Sequence, residues 1–119
     1  MGRPVHFELH GDHPEALAEF YAADFGWTID RWGDQEYWLL GAGDDAIGGA
    51  IAPPQEHGQA VVLTVEVADL AAAVARWREA GGEVVVEAAP IPGVGALAQV
   101  RDPAGTTFGL LEPEMRDEG

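Results

Sequence analysis

The chain has 119 residues, 47% of them hydrophobic and 23% charged, the size and composition of one globular domain with a single core. Its 21 acidic and 6 basic residues leave a net charge of −15, which disfavours nucleic-acid and anionic membrane partners. It has no Cys, Lys, Ser or Asn, which excludes disulfides, thiolate chemistry, lysine Schiff bases and serine-hydrolase triads.

Met1-Gly2-Arg3-Pro4 leads straight into Val5–His10, a strand with strict alternation. Phe7 and Leu9 face one way, and His6, Glu8 and His10 the other. Pro14 and Glu15 suit a first helical turn, with Asp12 or His13 as cap. Leu17, Phe20, Tyr21 and Phe25 then form an apolar stripe that ends at Gly26. The spacing predicts strands over 27–32, 36–40 and 46–52, with a turn at 41–45. Gly48-Gly49 suggests a close approach to the backbone. Pro53–Gly58 reads as a linker.

The order then repeats. A β-branched strand covers 60–67, with Val62, Thr64 and Glu66 on one face. Asp69 caps a helix whose stripe is Leu70, Ala73, Val74 and Trp77, ending at Gly81-Gly82. Strands follow over 83–88, 96–100 and 106–112. Between the first two, 89–95 reads as a Pro- and Gly-shaped loop, and the charged tail beyond Pro113 as frayed. The chain is therefore a single α+β domain of two βαβββ modules, about 4–54 and 59–113, with a flexible tail at 114–119. The expected arrangement is one cup-shaped mixed sheet with both helices on the convex side. Two such modules leave a concave face, a common place for a ligand.

Several stretches carry a resemblance. They are His6-Phe7-Glu8-Leu9, Glu19-Phe20-Tyr21 with Phe25-Gly26-Trp27, Ala80-Gly81-Gly82-Glu83-Val84, Ile91-Pro92-Gly93-Val94-Gly95, and Asp102-Pro103-Ala104-Gly105 with Phe108-Gly109-Leu110-Leu111-Glu112. In this order they resemble the vicinal oxygen chelate (VOC) superfamily of glyoxalase I, bleomycin resistance proteins and extradiol dioxygenases. The resemblance implies a divalent metal held from the first, fourth, fifth and eighth strands. His6 falls at the first of these positions. The fifth-strand position falls on Val62 and the eighth on Gly109, while Gly48-Gly49-Ala50-Ile51 supplies no donor for the fourth. One ligand of four is too few for a transition-metal site. His6, Glu8 and His10 alone would span roughly 13 Å along the strand and would hardly converge on one ion.

No metal or cofactor is therefore expected. The expected cup lining is His6, Glu8 and His10 from one half, and Val62, Thr64, Glu66, Thr107, Gly109 and Leu111 from the other. Trp38 or Tyr37 forms one wall, and missing side chains at Gly48, Gly49 and Gly109 leave room. No arginine is expected beside Glu8 and Glu66 on strands one and five. The implied function is a glyoxalase-like protein that binds a small organic ligand, a cationic aromatic being one form, in a sequestering or resistance role. The alternative is a lyase, isomerase or dioxygenase using an atypical metal or acid–base chemistry through His6 and Glu8. No run approaches the roughly eighteen apolar residues of a membrane span, and no signal peptide is apparent. The expectation is a cytoplasmic homodimer.

Overall fold

The computed structural model describes residues 2–41, 43, 46–55 and 58–114. Parts of the expected turn at 41–45, Glu56 and His57 of the expected linker, and the tail from Met115 onward lie outside the described residues. The element order is β1 (Arg3–His10), α1 (Pro14–Phe25), β2 (Thr28–Arg31), β3 (Trp38–Gly41), β4 (Gly48–Ala52), β5 (Val61–Glu66), α2 (Leu70–Glu79), β6 (Glu83–Ile91), β7 (Gly95–Arg101) and β8 (Thr107–Pro113). This is the βαβββ pattern twice, an α+β fold with a mixed eight-stranded sheet. The chain divides into two compact units, Val5–Leu63 and the remainder, which joins residues 1–4 to Thr64 and beyond.

In the Val5–Leu63 unit the strand order is β2-β3-β4-β1. β1 runs parallel to β4 with His6 opposite Gly48, Glu8 opposite Ala50 and His10 opposite Ala52. β3 runs antiparallel to β4, with Trp38 opposite Ile51 and Leu39 opposite Ala50. Pro14 opens α1 at its first turn, where a missing N–H costs nothing. Gly26 ends α1 at φ 72°, a left-handed conformation that Gly adopts freely, and its N–H donates to the Ala22 carbonyl. His13 occupies the cap position, but its side chain makes no capping bond. The core is Ala18, Leu40 and Ile51, with Phe7, Leu9, Leu17 and Ile29 against it. The even-spaced apolar residues of β1 thus face α1, as the alternation requires.

In the other unit β8 lies between β5 and β7, and β6 is outermost. Asp69 Oδ1 accepts from Ala72 N–H at 3.1 Å, and Glu112 Oε1 from Leu70 N–H at 2.8 Å. Two otherwise orphaned amides at the start of α2 are thereby satisfied. Leu70, Ala73 and Val74 pack on Val67, Ala98, Val100 and Leu110. Burying each Val or Leu stabilises by about 1.5–3 kcal/mol.

The expected loop at 89–95 is mostly strand. Ala89, Pro90 and Ile91 pair with Leu97, Ala96 and Gly95, so β6 and β7 form a tight hairpin. Its turn closes with Val94 N–H on the Ile91 carbonyl, and Gly93 has φ 77°. Pro90 fits because β6 is an edge strand, where a missing N–H breaks no ladder on the outer side.

Candidate functional site

The strict alternation of β1 places His6, Glu8 and His10 on the face away from α1. A turn brings a fourth group to them. Trp32 N–H donates to the Tyr37 carbonyl and Gln35 N–H to the Trp32 carbonyl, with Gly33 at φ 60° between them. The Trp32 ring lies 5.3 Å from the Tyr37 ring, centroid to centroid. Tyr37 Oη donates to Glu8 Oε2 at 2.6 Å, a short, charge-assisted distance. His6 Nε2 lies 3.1 Å from the same Oη. On the other side of the carboxylate, His10 Nε2 stands 3.2 Å from Glu8 Oε1. His10 Nδ1 meets the Pro53 carbonyl at 2.9 Å. Side chains of His6, Tyr37, Glu8 and His10 therefore form one continuous polar string.

Its electrostatics follow from burial. Removal from water pushes the Tyr37 phenol far above its ordinary value, and the charge and hydrogen bond of Glu8 push it further. Tyr37 therefore remains a proton donor across the physiological range. Burial also lowers His6, and the Glu8 charge opposes this only in part. His6 is thus a neutral imidazole near pH 7. The Glu8 side chain keeps 21% of its surface exposed, whereas that of His10 keeps 2%. The string has a buried end at His10 and a partly open carboxylate at its centre.

The other expected lining residues divide clearly. Val62 is buried on β5. Thr107 and Gly109 are buried on β8, with Leu111 half-buried, and they share a face by strand parity. Thr64 adjoins Gly109: a side chain there would meet Thr64 Oγ1 at 3.0 Å and Leu97 Cδ1 at 3.4 Å. The space expected at Gly109 is therefore already filled. At Gly49 the close neighbour is the Phe7 ring, on the α1 face, so this glycine opens no room at the site either. Gly48 is the open position, its nearest neighbour being the Leu40 carbonyl at 3.5 Å.

Two further expectations are corrected. Trp38 stands opposite Ile51 and joins the apolar cluster under α1, because its register matches Leu9 rather than Glu8. Arg31 covers its ring at 5.1 Å, beside a separate concavity of about 400 Å³ at the start of α1. Tyr37, one residue earlier and just outside β3, is the aromatic that reaches Glu8. Glu66 does have an arginine partner: Arg3 Nε, at the first residue of β1, lies 3.1 Å from its Oε2.

The donor set does not fit the metal that the superfamily implies. Val62 and Gly109 have no donor atoms, and the β4 side chains are Gly, Ala and Ile. His6 already directs Nε2 at Tyr37. Among the described residues no group of three His, Asp or Glu is placed to hold an ion, and no helix is long and apolar enough to cross a membrane.

With this geometry in place, comparison with known proteins defines the class. Residues 6–111 match the family model of the glyoxalase-like domain. The chain belongs to that family, within the VOC superfamily. It is 39% identical over 113 residues to CFP32 of Mycobacterium tuberculosis, a candidate glyoxylase by name, covering 89% of this chain and 42% of that protein. It is 31% identical over 132 residues to the anthracycline biosynthesis protein DnrV of Streptomyces peucetius, covering 92% of this chain and 46% of that one. The chain thus spans less than half the length of these relatives. A glyoxalase/bleomycin resistance protein/dioxygenase superfamily member from Vibrio splendidus superposes with a TM-score of 0.71 at 18% identity, covering 96% of this chain and 100% of the other.

Proposed function

We propose that this glyoxalase-like domain binds a small organic molecule on the face carrying His6, Tyr37 and Glu8, without a family-type metal, in a sequestering or resistance role. The supporting observation is the short Tyr37–Glu8 bond, which fixes a partly exposed carboxylate in one orientation. The local case for a cationic ligand is weaker than the composition suggests. Glu66 already pairs with Arg3, and Glu8 already faces His10. A neutral, polar, planar molecule suits the face better. DnrV takes its name from anthracycline biosynthesis.

Acid–base catalysis is the second reading, favoured by the hydrogen-bonded succession of a neutral imidazole, a phenol and a carboxylate. A lyase or isomerase would use such groups without a metal.

Native mass spectrometry of protein purified under mild conditions tests the binding reading. A copurifying organic molecule is expected, retained by wild type and lost from Glu8→Gln at unchanged melting temperature. If Glu8→Gln unfolds the protein, or keeps the same molecule, Glu8 serves the fold and the reading fails.

A further inference from the structure

The hydrogen-bond partners around Tyr37 leave little freedom for the protons. A phenol has one hydrogen and a carboxylate oxygen has none to give. The Pro53 carbonyl can only accept, so His10 Nδ1 carries a hydrogen. The Tyr37 hydroxyl meets Glu8 at Oε2, and that oxygen accepts. Tyr37 therefore gives its hydrogen to Glu8 Oε2 at 2.6 Å. Its oxygen then faces His6 Nε2 at 3.1 Å with lone pairs alone, so His6 Nε2 must carry a hydrogen too. A neutral His6 is left with its lone pair on Nδ1, the nitrogen turned away from Tyr37. Nδ1 has no protein partner among the described residues and is not among the fully buried, unsatisfied atoms.

We infer that His6 is the ligand-facing acceptor of this site through Nδ1, that Tyr37 and Glu8 act as positioning residues that fix its tautomer, and that the ligand is a neutral molecule offering an O–H or N–H. This deepens, and rests on, the reading that the face binds a small organic molecule. It also gives the histidine a use independent of any metal.

Two measurements test it separately. In ¹⁵N-labelled protein at pH 7.5, with the His6 signals identified by their loss in His6→Ala, Nε2 should show the shift of a protonated ring nitrogen and Nδ1 that of a bare one. Tyr37→Phe should relax His6 toward the mixture of tautomers found in free histidine. Calorimetric titration with 2-naphthol and 2-methoxynaphthalene then reads the ligand class. Wild type should bind the naphthol at least tenfold more tightly, and His6→Ala should lose that preference. A protonated Nδ1 in wild type overturns the inference and leaves the binding reading standing. Equal binding of both compounds does the same. Failure of both compounds to bind overturns the inference together with the reading beneath it.

Discussion

The ring of Phe7 lies directly over the bare α-carbon of Gly49, its register partner on the neighbouring parallel strand. The contact explains the glycine at position 49 and separates its role from that of Gly48. A methyl group at Gly49 would collide with the Phe7 ring, whereas one at Gly48 would find its nearest neighbour at 3.5 Å. Gly49→Ala should therefore destabilise the protein by about 1–3 kcal/mol through overpacking. Gly48→Ala should stay within about 1 kcal/mol of wild type by the ordinary scale of tolerated substitutions. Urea unfolding of both variants checks this, and equal losses would refute the distinction.

Acidification should weaken the fold through His6. Its folded-state value is lowered by burial from the ordinary 6.5, so in the window just below 6.5 the unfolded chain binds a proton that the folded chain does not. Stability must therefore rise with pH across that window and fall as pH drops toward the lowered value. Urea midpoints at pH 7.5, 6.5 and 5.5 should fall more steeply for wild type than for His6→Gln. A shallower slope for wild type would mean that the folded state favours the charged imidazole.

Metal content should be low. Val62 and Gly109 stand where the superfamily places ligands and cannot coordinate through side chains. Elemental analysis after mild purification should find well under one transition-metal ion per chain. Near-stoichiometric zinc, nickel or iron that disappears in His6→Ala would contradict the donor analysis.

We expect a homodimer in solution. β2 and β6 are edge strands with unpaired backbone groups, and Phe20 and Phe25 on α1 are 63% and 56% exposed. Light scattering at high micromolar concentration should give twice the 12.6 kDa chain mass. A monomer mass under those conditions would count against the dimer.

Most of the fold was legible because it rests on local signals. Alternation at 6–10 and the punctuation of Pro14 and Gly26 carry the first strand and helix without help from distant contacts. The hairpin at 89–97 was not legible, because its strand character comes from pairing with β7 and runs against the local preference of Pro90. The site divides in the same way. His6, Glu8 and His10 follow from parity along one strand. The choice of Tyr37 over Trp38 depends on the register of β3 against β4, which a turn of uncertain length leaves open. Arg3 and Glu66 are 63 residues apart in the chain, and nothing nearby in the sequence announces their pairing.

That pairing makes the first residues a working part of the distant half of the chain. Residues 1–4 belong to the same compact unit as Thr64 onward. Gly2 sits so close to Val65 that an added side chain there would approach its Cγ1 to 2.8 Å. An affinity tag fused at the amino terminus, or a start site moved past Pro4, would thus act on Glu66 and Val65 rather than on its immediate neighbours.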